Sequence, residues 1–451
     1  MIEETLYQEK YRPQFHFTAK KNWLNDPNGL IYYDGEYHLF FQHNPSGINW
    51  GNMTWGHAVS TDVVHWEQFS HAIEPDELGT IFSGSGVVDW NNTTGFQTGQ
   101  ESVLVAIYTS AGEFAPKETP YTQSIAYSVD RGRTWTKYEG NSVLSNLAKG
   151  NRDPKVFWHK PTKKWVMALY LENNDFALFG SPDLKSWTKL SDVHLPDASE
   201  CPDLFELPVD ADQNRTKWVF WGANGRHFIG TFDGEHFDAE SDVLQTEHGA
   251  NCYAAQTWSD IPSSDNRRLQ IAWMSGGKYP DMPFNQQMAF PCELTLRTTA
   301  DGIRLFRKPV KEIETIHKRR HTWNDEKLTP AANLLDGIEG ELLDIRAEIE
   351  LGDAKAVGFG VRGENIHFDI DSQRLACLEK SASLQPINER ISLQILVDRT
   401  SIEVFGNDGR VSMCSCFLPD MADRSLKIFA SGGTACIVSL DVYELHSAWS
   451  P

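Results

Sequence analysis

Two segments decide the fold: Val103-Leu-Val-Ala-Ile-Tyr-Thr109, a strongly apolar strand, and Ser128-Val-Asp130-Arg-Gly132-Arg-Thr134-Trp135, a polar turn closed by an aromatic. The turn recurs as Ser60-Thr-Asp62 with Trp66, as Ser181-Pro-Asp183 with Trp187, and more weakly as Thr231-Phe-Asp233 with Phe237. Ser and Asp side chains cap the backbone of a tight turn, and the aromatic fills the gap between neighbouring strands. The apolar strand recurs at 37–42, 165–171, 218–221 and 269–274, at intervals of roughly fifty to sixty-five residues. Helical periodicity is nearly absent before residue 308, and the turns are rich in Gly, Pro, Asn and Asp. Five repeats of several short strands predict an all-β chain opening on a five-bladed β-propeller.

Beyond Phe306 the character changes. The charged stretch 308–319 reads as a short helical linker. Alternating strands then follow at 356–361, 391–397, 401–405 and 437–442, with the hairpin turn Asn407-Asp-Gly409 between Val404 and Val411. The predicted division is a propeller over 1–310, a linker over 311–322 and a C-terminal β-sandwich over 323–451.

Composition narrows the function. Asp and Glu number 62 against 41 Lys and Arg, a formal charge of -21, which repels phosphate backbones and anionic lipid; nucleic acid and membrane surfaces are therefore poor partners. The apolar runs are too short to span a bilayer. Seven cysteines show no CxxC pair and no zinc-like spacing, so neither a metal nor another cofactor is expected. Cys414 and Cys416 belong on one strand face. Met1-Ile-Glu-Glu-Thr lacks the basic and apolar regions of a signal peptide, so the chain reads as cytoplasmic, or as secreted if a signal has been removed. A homo-oligomer stays open.

The chemistry lies at the start of the repeats, on strands expected nearest the propeller axis. The first carries Trp23-Leu-Asn25-Asp26-Pro27-Asn28-Gly29, the third Asn151-Arg152-Asp153-Pro154, and the fourth Glu200-Cys201-Pro202-Asp203. A following proline should hold Asp26 and Asp153 extended. Each motif alone is also what a capped turn looks like; the conjunction places three carboxylates from three repeats in one funnel. Glycoside cleavage needs such a set, one ionised carboxylate to attack the anomeric carbon and one protonated carboxyl for the leaving oxygen, and crowding separates their protonation states.

These motifs, with Phe82-Ser-Gly-Ser85, resemble glycoside hydrolase family 32, which holds invertases, inulinases, levanases and fructosyltransferases. The resemblance spans nearly the whole chain and implies a five-bladed propeller followed by a β-sandwich, with sucrose or a fructan as substrate. It also implies Asp26 as nucleophile, Glu200 as general acid/base and Asp153 as transition-state stabiliser beside Arg152. Asn25, Gln42, Trp50, Phe82 and Ser83 would line the fructose pocket, with Tyr253 and Trp273 near it. Trp66, Trp135 and Trp187 sit at repeat positions and read as blade packing, and Asp62, Asp130 and Asp183 as turn residues. Asp203 fits two roles equally, orienting Glu200 or capping a turn.

Three other readings share some of these features. Ser128 to Trp135 has the form of a sialidase Asp-box, but that chemistry also needs an arginine cluster and a Tyr/Glu nucleophile pair, and the five repeats extend to six blades only with difficulty. A carbohydrate-binding propeller without activity would not need all three carboxylates. A fructosyltransferase or a sucrose-specific invertase would use the same residues. The segment Gly276-Gly-Lys-Tyr-Pro-Asp-Met-Pro-Phe-Asn285-Gln286-Gln287 favours longer substrates: its amides suit sugar hydroxyls and its glycines leave room. The expected activity is exo-acting release of terminal fructose from inulin or levan, with sucrose secondary.

Overall fold

A computed structural model describes residues 6–449; the opening residues 1–5 and the last two of the expected sandwich, 450–451, lie outside them. The architecture is all-β, a propeller followed by a β-sandwich. The Ser-x-Asp turns explain how the repeat folds. Ser60, Ser128 and Ser181 donate to Asp62, Asp130 and Asp183 at 3.0, 2.7 and 3.2 Å. Each Asp then accepts from backbone further round its turn, as Asp62 does from Val64 and His65. Trp66, Trp135 and Trp187 donate their indole N–H to the carbonyls of Val63, Gly132 and Leu184, so each ring closes its own turn and turns its face to the neighbouring strands.

Successive first strands touch: Asn22–Tyr33 lies against Thr80–Asp89, which lies against Arg152–His159, while Cys252–Thr257 meets both Asn22–Tyr33 and Asp203–Val209. This ring of strands surrounds the axis. Late chain closes it, because Phe284–Asn285 pairs in parallel with Asn22 and Trp23. The repeat predicts five blades, whereas hydrogen bonding defines four propeller sheets among the described residues. One parallel pair, Val209 with Leu296, joins two antiparallel groups into a nine-stranded sheet.

The sandwich packs a six-stranded antiparallel sheet on a five-stranded one. Strands such as Leu343–Glu350 and Arg390–Val397 alternate buried and half-buried residues, the signature of a sheet with one core face. Ile345, Phe359, Phe368, Ile395 and Val404 are fully buried between the sheets, each such side chain contributing about 1.5–3 kcal/mol. A 3-10 turn at Lys311–Ile316 stands in the expected linker, but the strand His317–Leu328 begins inside it. Its charged sequence hid it: most of its side chains face solvent, and its place is set by pairing with Ala435–Leu445. Cys414 and Cys416 share the strand Val411–Cys416, the first fully buried and the second half-buried. The Asn407-Asp-Gly409 turn forms with all three residues at positive φ. Its tip docks on the propeller, where Arg307 N–H donates to the Gly409 carbonyl; a Cβ on Gly409 would lie 2.0 Å from the Arg307 carbonyl oxygen.

The seam between the two parts is polar at its centre. His16, fully buried, is held by Asp398 at 2.9 Å and Glu403 at 3.1 Å. Burial alone would push its pKa down, but the two carboxylates outweigh that and lift it to about 9. Burial likewise pushes Asp398 and Glu403 up, and His16 overrides it, holding both below the usual carboxylate range. Beside them Arg307 donates to Glu247 at 3.2 Å.

Candidate active site

The inner strands share a distortion at their functional residues. Asn25 and Asp26 stand opposite the single residue Gln42, Phe82 and Ser83 opposite Thr109, Asp153 and Pro154 opposite Leu169, and Ala254 and Ala255 opposite Ala272. Two residues facing one is a β-bulge, which bends a strand and re-aims its side chains. Four inner strands therefore bulge where the site is built. Backbone strain accompanies two of the bulges, Asp153 and Ala254 having φ of +62° and +52°, and recurs just ahead of the strand Asp203–Val209, where Glu200 and Cys201 have φ of +57° and +36°. The expectation that Pro154 holds Asp153 extended is thus corrected; the bulge overrides the local preference of a residue before proline.

The three predicted carboxylates meet. Asp26 accepts from Ser83 Oγ at 2.6 Å, and the Cys201 thiol stands 3.7 Å from Asp26 and 3.5 Å from Asp153. Cys201 N–H also donates to Asp153, and Asp153 N–H donates to Thr109 Oγ1. Glu200 accepts from Arg152 on one oxygen and from the Tyr253 hydroxyl on the other, which fixes its direction. Arg152 lies 3.7 Å from Asp153 and stacks on Tyr170, so one cation serves two acids. Burial lifts Asp153 to about 7 against the pull of Arg152, with the charges of Glu200 and Asp26 adding to the rise. Burial also raises Asp26, opposed by its hydrogen bonds from Ser83 and Asn25.

Around these acids, Asn25 accepts from Trp23 Nε1, and the Trp273 ring lies edge-on to both Trp23 and Tyr253. Gln42 is buried with its Nε2 unpartnered. Phe82 joins an aromatic cluster with Trp50, Phe114 and Tyr121, ring centroids 5.5–6.0 Å apart. Trp50 and Phe114 are 48% and 45% exposed, so this cluster forms a rim and not part of the buried acid group. The amides of Gln286 and Gln287 are not offered to a ligand as expected: Gln286 ties Trp273, Gly276 and Gly277, and Gln287 accepts from Tyr279 and Thr400. They hold the loop because both are buried within it.

Cys201 was within reach of sequence reasoning, since it sits inside the Glu200 motif. Phe114 and Tyr121 were not, because the Gly- and Pro-containing loop that carries them has no motif. Away from the funnel, Glu247, Cys252 and Cys414 bring ligand-type atoms within 4.8 Å of one another. There Arg307 already supplies the positive charge, 3.2 Å from Glu247 and 3.4 Å from the Cys414 sulfur.

Family models describe the same chain. Residues 16–309 match the glycosyl hydrolases family 32 N-terminal domain, and residues 312–444 match the glycosyl hydrolases family 32 C terminal. A levanase of Bacillus subtilis (strain 168) is 44% identical over 99% of this chain and 72% of its own length. An extracellular exo-inulinase of Aspergillus awamori is 32% identical over 98% of this chain and 96% of its own. The crystal structure of exo-inulinase from that fungus superposes with a TM-score of 0.88 at 31% identity, covering 98% of this chain and all of the other. With both halves matched in order and three acids gathered at the head of the inner strands, the chain belongs to glycoside hydrolase family 32.

Proposed function

We propose that this protein is a retaining, exo-acting β-fructosidase that releases terminal fructose from fructans, with sucrose as a secondary substrate. The observation that carries the reading is the convergence of three acids from three repeats: Arg152 joins Asp153 to Glu200, and the Cys201 thiol joins Asp153 to Asp26. In this reaction Asp26 attacks the anomeric carbon as Glu200 gives a proton to the departing oxygen, leaving a fructosyl ester on Asp26. Glu200 then takes a proton from water as that water breaks the ester, and the configuration is retained. Ser83 holds one oxygen of Asp26 and so aims the other. Asp153 with Arg152 grips the sugar hydroxyls as positive charge develops on the ring. Asn25 and the unpartnered Gln42 Nε2 supply further hydrogen bonds, while Phe82, Tyr253 and Trp273 wall the pocket.

The preference for fructans is supported by the exposed rim of Trp50 and Phe114, whose faces suit the apolar faces of sugars beyond the first. The names of the relatives, levanase and exo-inulinase, point the same way. We take the catalytic unit to end near residue 310 and the sandwich to support it. The enzyme then acts outside the cell, as the name of the extracellular exo-inulinase indicates for that relative; no described helix is long and apolar enough to cross a membrane.

Chromatography of early products from levan, inulin and sucrose tests the reading. Fructose alone from the polymers, faster than from sucrose, is expected. A ladder of oligosaccharides defeats the exo mode, and activity confined to sucrose defeats the fructan preference.

A further inference from the structure

Beneath the acids lies a second polar level, built from residues two or three positions further along the same strands. On the first two strands its bonds are neutral: Asn28 Oδ1 accepts from Gly84 N–H, and Ser85 Oγ donates to the Pro154 carbonyl while accepting from Val156 N–H. On the other three the level is ionic. Lys155 Nζ lies 3.3 Å from Asp203 Oδ1 and donates to the Thr257 carbonyl at 2.7 Å, and Thr257 N–H donates to Asp203 Oδ2 at 2.7 Å. Lys155 is 5% exposed, and Asp203 and Thr257 not at all.

The division between neutral and ionic follows the strain. Asp26 and Ser83 have ordinary backbone, whereas Asp153, Glu200, Cys201 and Ala254 are left-handed. Lys155 follows Asp153 by two residues, Asp203 follows Cys201 by two, and Thr257 follows Ala254 by three. Left-handed backbone at residues with a Cβ is strained and persists only where its surroundings over-determine it. Relaxing any of these residues would swing Asp153, Glu200 or Tyr253 out of the funnel. Slippage would also separate a buried ion pair and leave both charges without a partner.

We propose that Lys155 and Asp203 are positioning residues, a brace clamped onto the Thr257 backbone that holds the strands of Asp153, Glu200 and Tyr253 at the spacing catalysis requires. This rests on the catalytic reading of Asp153 and Glu200. It also chooses between the two roles open to Asp203: Asp203 opens the strand that Glu200 precedes by three residues, and so orients Glu200 instead of capping a turn.

The test is the double variant Lys155→Met/Asp203→Asn, which removes both charges together and leaves an acceptor for Thr257 N–H. On sucrose, kcat should fall by about 10²-fold, the scale of an ångström of misplacement. KM should stay within about twofold, and the melting temperature should stay well above the assay temperature. Asp203→Glu, which keeps the pair but lengthens it, should fold and lose about tenfold in kcat, an intermediate loss on the same scale. Wild-type kcat in the folded double variant would overturn the proposal. So would unfolding of both variants, since the pair would then serve stability and not position. Glu200→Gln is run alongside: if that variant turns over sucrose normally, the catalytic reading itself fails, whatever the brace variants do.

Discussion

Two buried acid clusters lie in this molecule, and they behave in opposite ways. At the funnel, Asp153 and Glu200 share one cation, Arg152, and burial lifts Asp26 and Asp153 above the usual carboxylate range. At the seam, Asp398, Glu403 and Glu247 face two cations, His16 and Arg307, and His16 holds Asp398 and Glu403 below that range. The residue types are the same and both clusters are desolvated. The difference is charge balance: the seam sets two cations against its three acids and the funnel one, and the less compensated acids are those we assign to the chemistry.

The largest effect comes from breaking the under-compensated cluster. Asp26→Asn should cost on the order of 10⁴-fold or more in turnover, because an amide is not a nucleophile. It should leave the melting temperature unchanged or slightly raised, since a poorly compensated buried carboxylate is removed. Calorimetry beside a sucrose assay checks both; a marked fall in melting temperature would mean that this acid is structural.

Breaking the matched cluster should do the reverse. His16→Gln strands Asp398 and Glu403 without a cation and should cost about 3–5 kcal/mol of stability, with turnover near wild type below the melting temperature. Denaturant unfolding read with activity separates this from a catalytic defect. An equally stable variant would show that hydrogen bonding, not charge, holds the seam.

The smallest effect is in the pH dependence, where the clusters separate by window. Asp153 rises from 3.8 to about 7 on folding, so its protonation stabilises the fold fully below 3.8, and that stability is lost as pH rises to 7. His16 rises from 6.5 to about 9, so its contribution, on the order of 3 kcal/mol, is complete below 6.5 and lost as pH rises to 9. Asp398 and Glu403 act oppositely, losing their contribution only as pH falls through their lowered pKa values. Unfolding free energy measured from pH 4 to 9 should lose its lower slope in Asp153→Asn and its upper slope in His16→Gln. Identical slopes in all three proteins would dissolve the distinction.

Much of this was legible along the chain. The capped turns follow from Ser, Asp and Trp within a few residues of one another, so Ser128 to Trp135 folds as local chemistry requires. The alternating strands and the Asn407-Asp-Gly409 hairpin are equally local, and the three acids announced themselves in short motifs. The strand His317–Leu328 was hidden because its partner lies more than a hundred residues away and its exposed face is charged.

By itself, then, the sequence determined the all-β class, the capped turns and the short motifs that carry the three acids, because each depends on neighbours a few bonds away. Only the tertiary structure decided the four bulges, the left-handed backbone at Asp153 and Glu200, and the Lys155–Asp203 brace beneath them. It alone brought His16 to Asp398 and Glu403, across nearly the whole chain. The physical reason is that a carboxylate's charge state depends on burial and on which cations share its space, and neither is a property of adjacent residues.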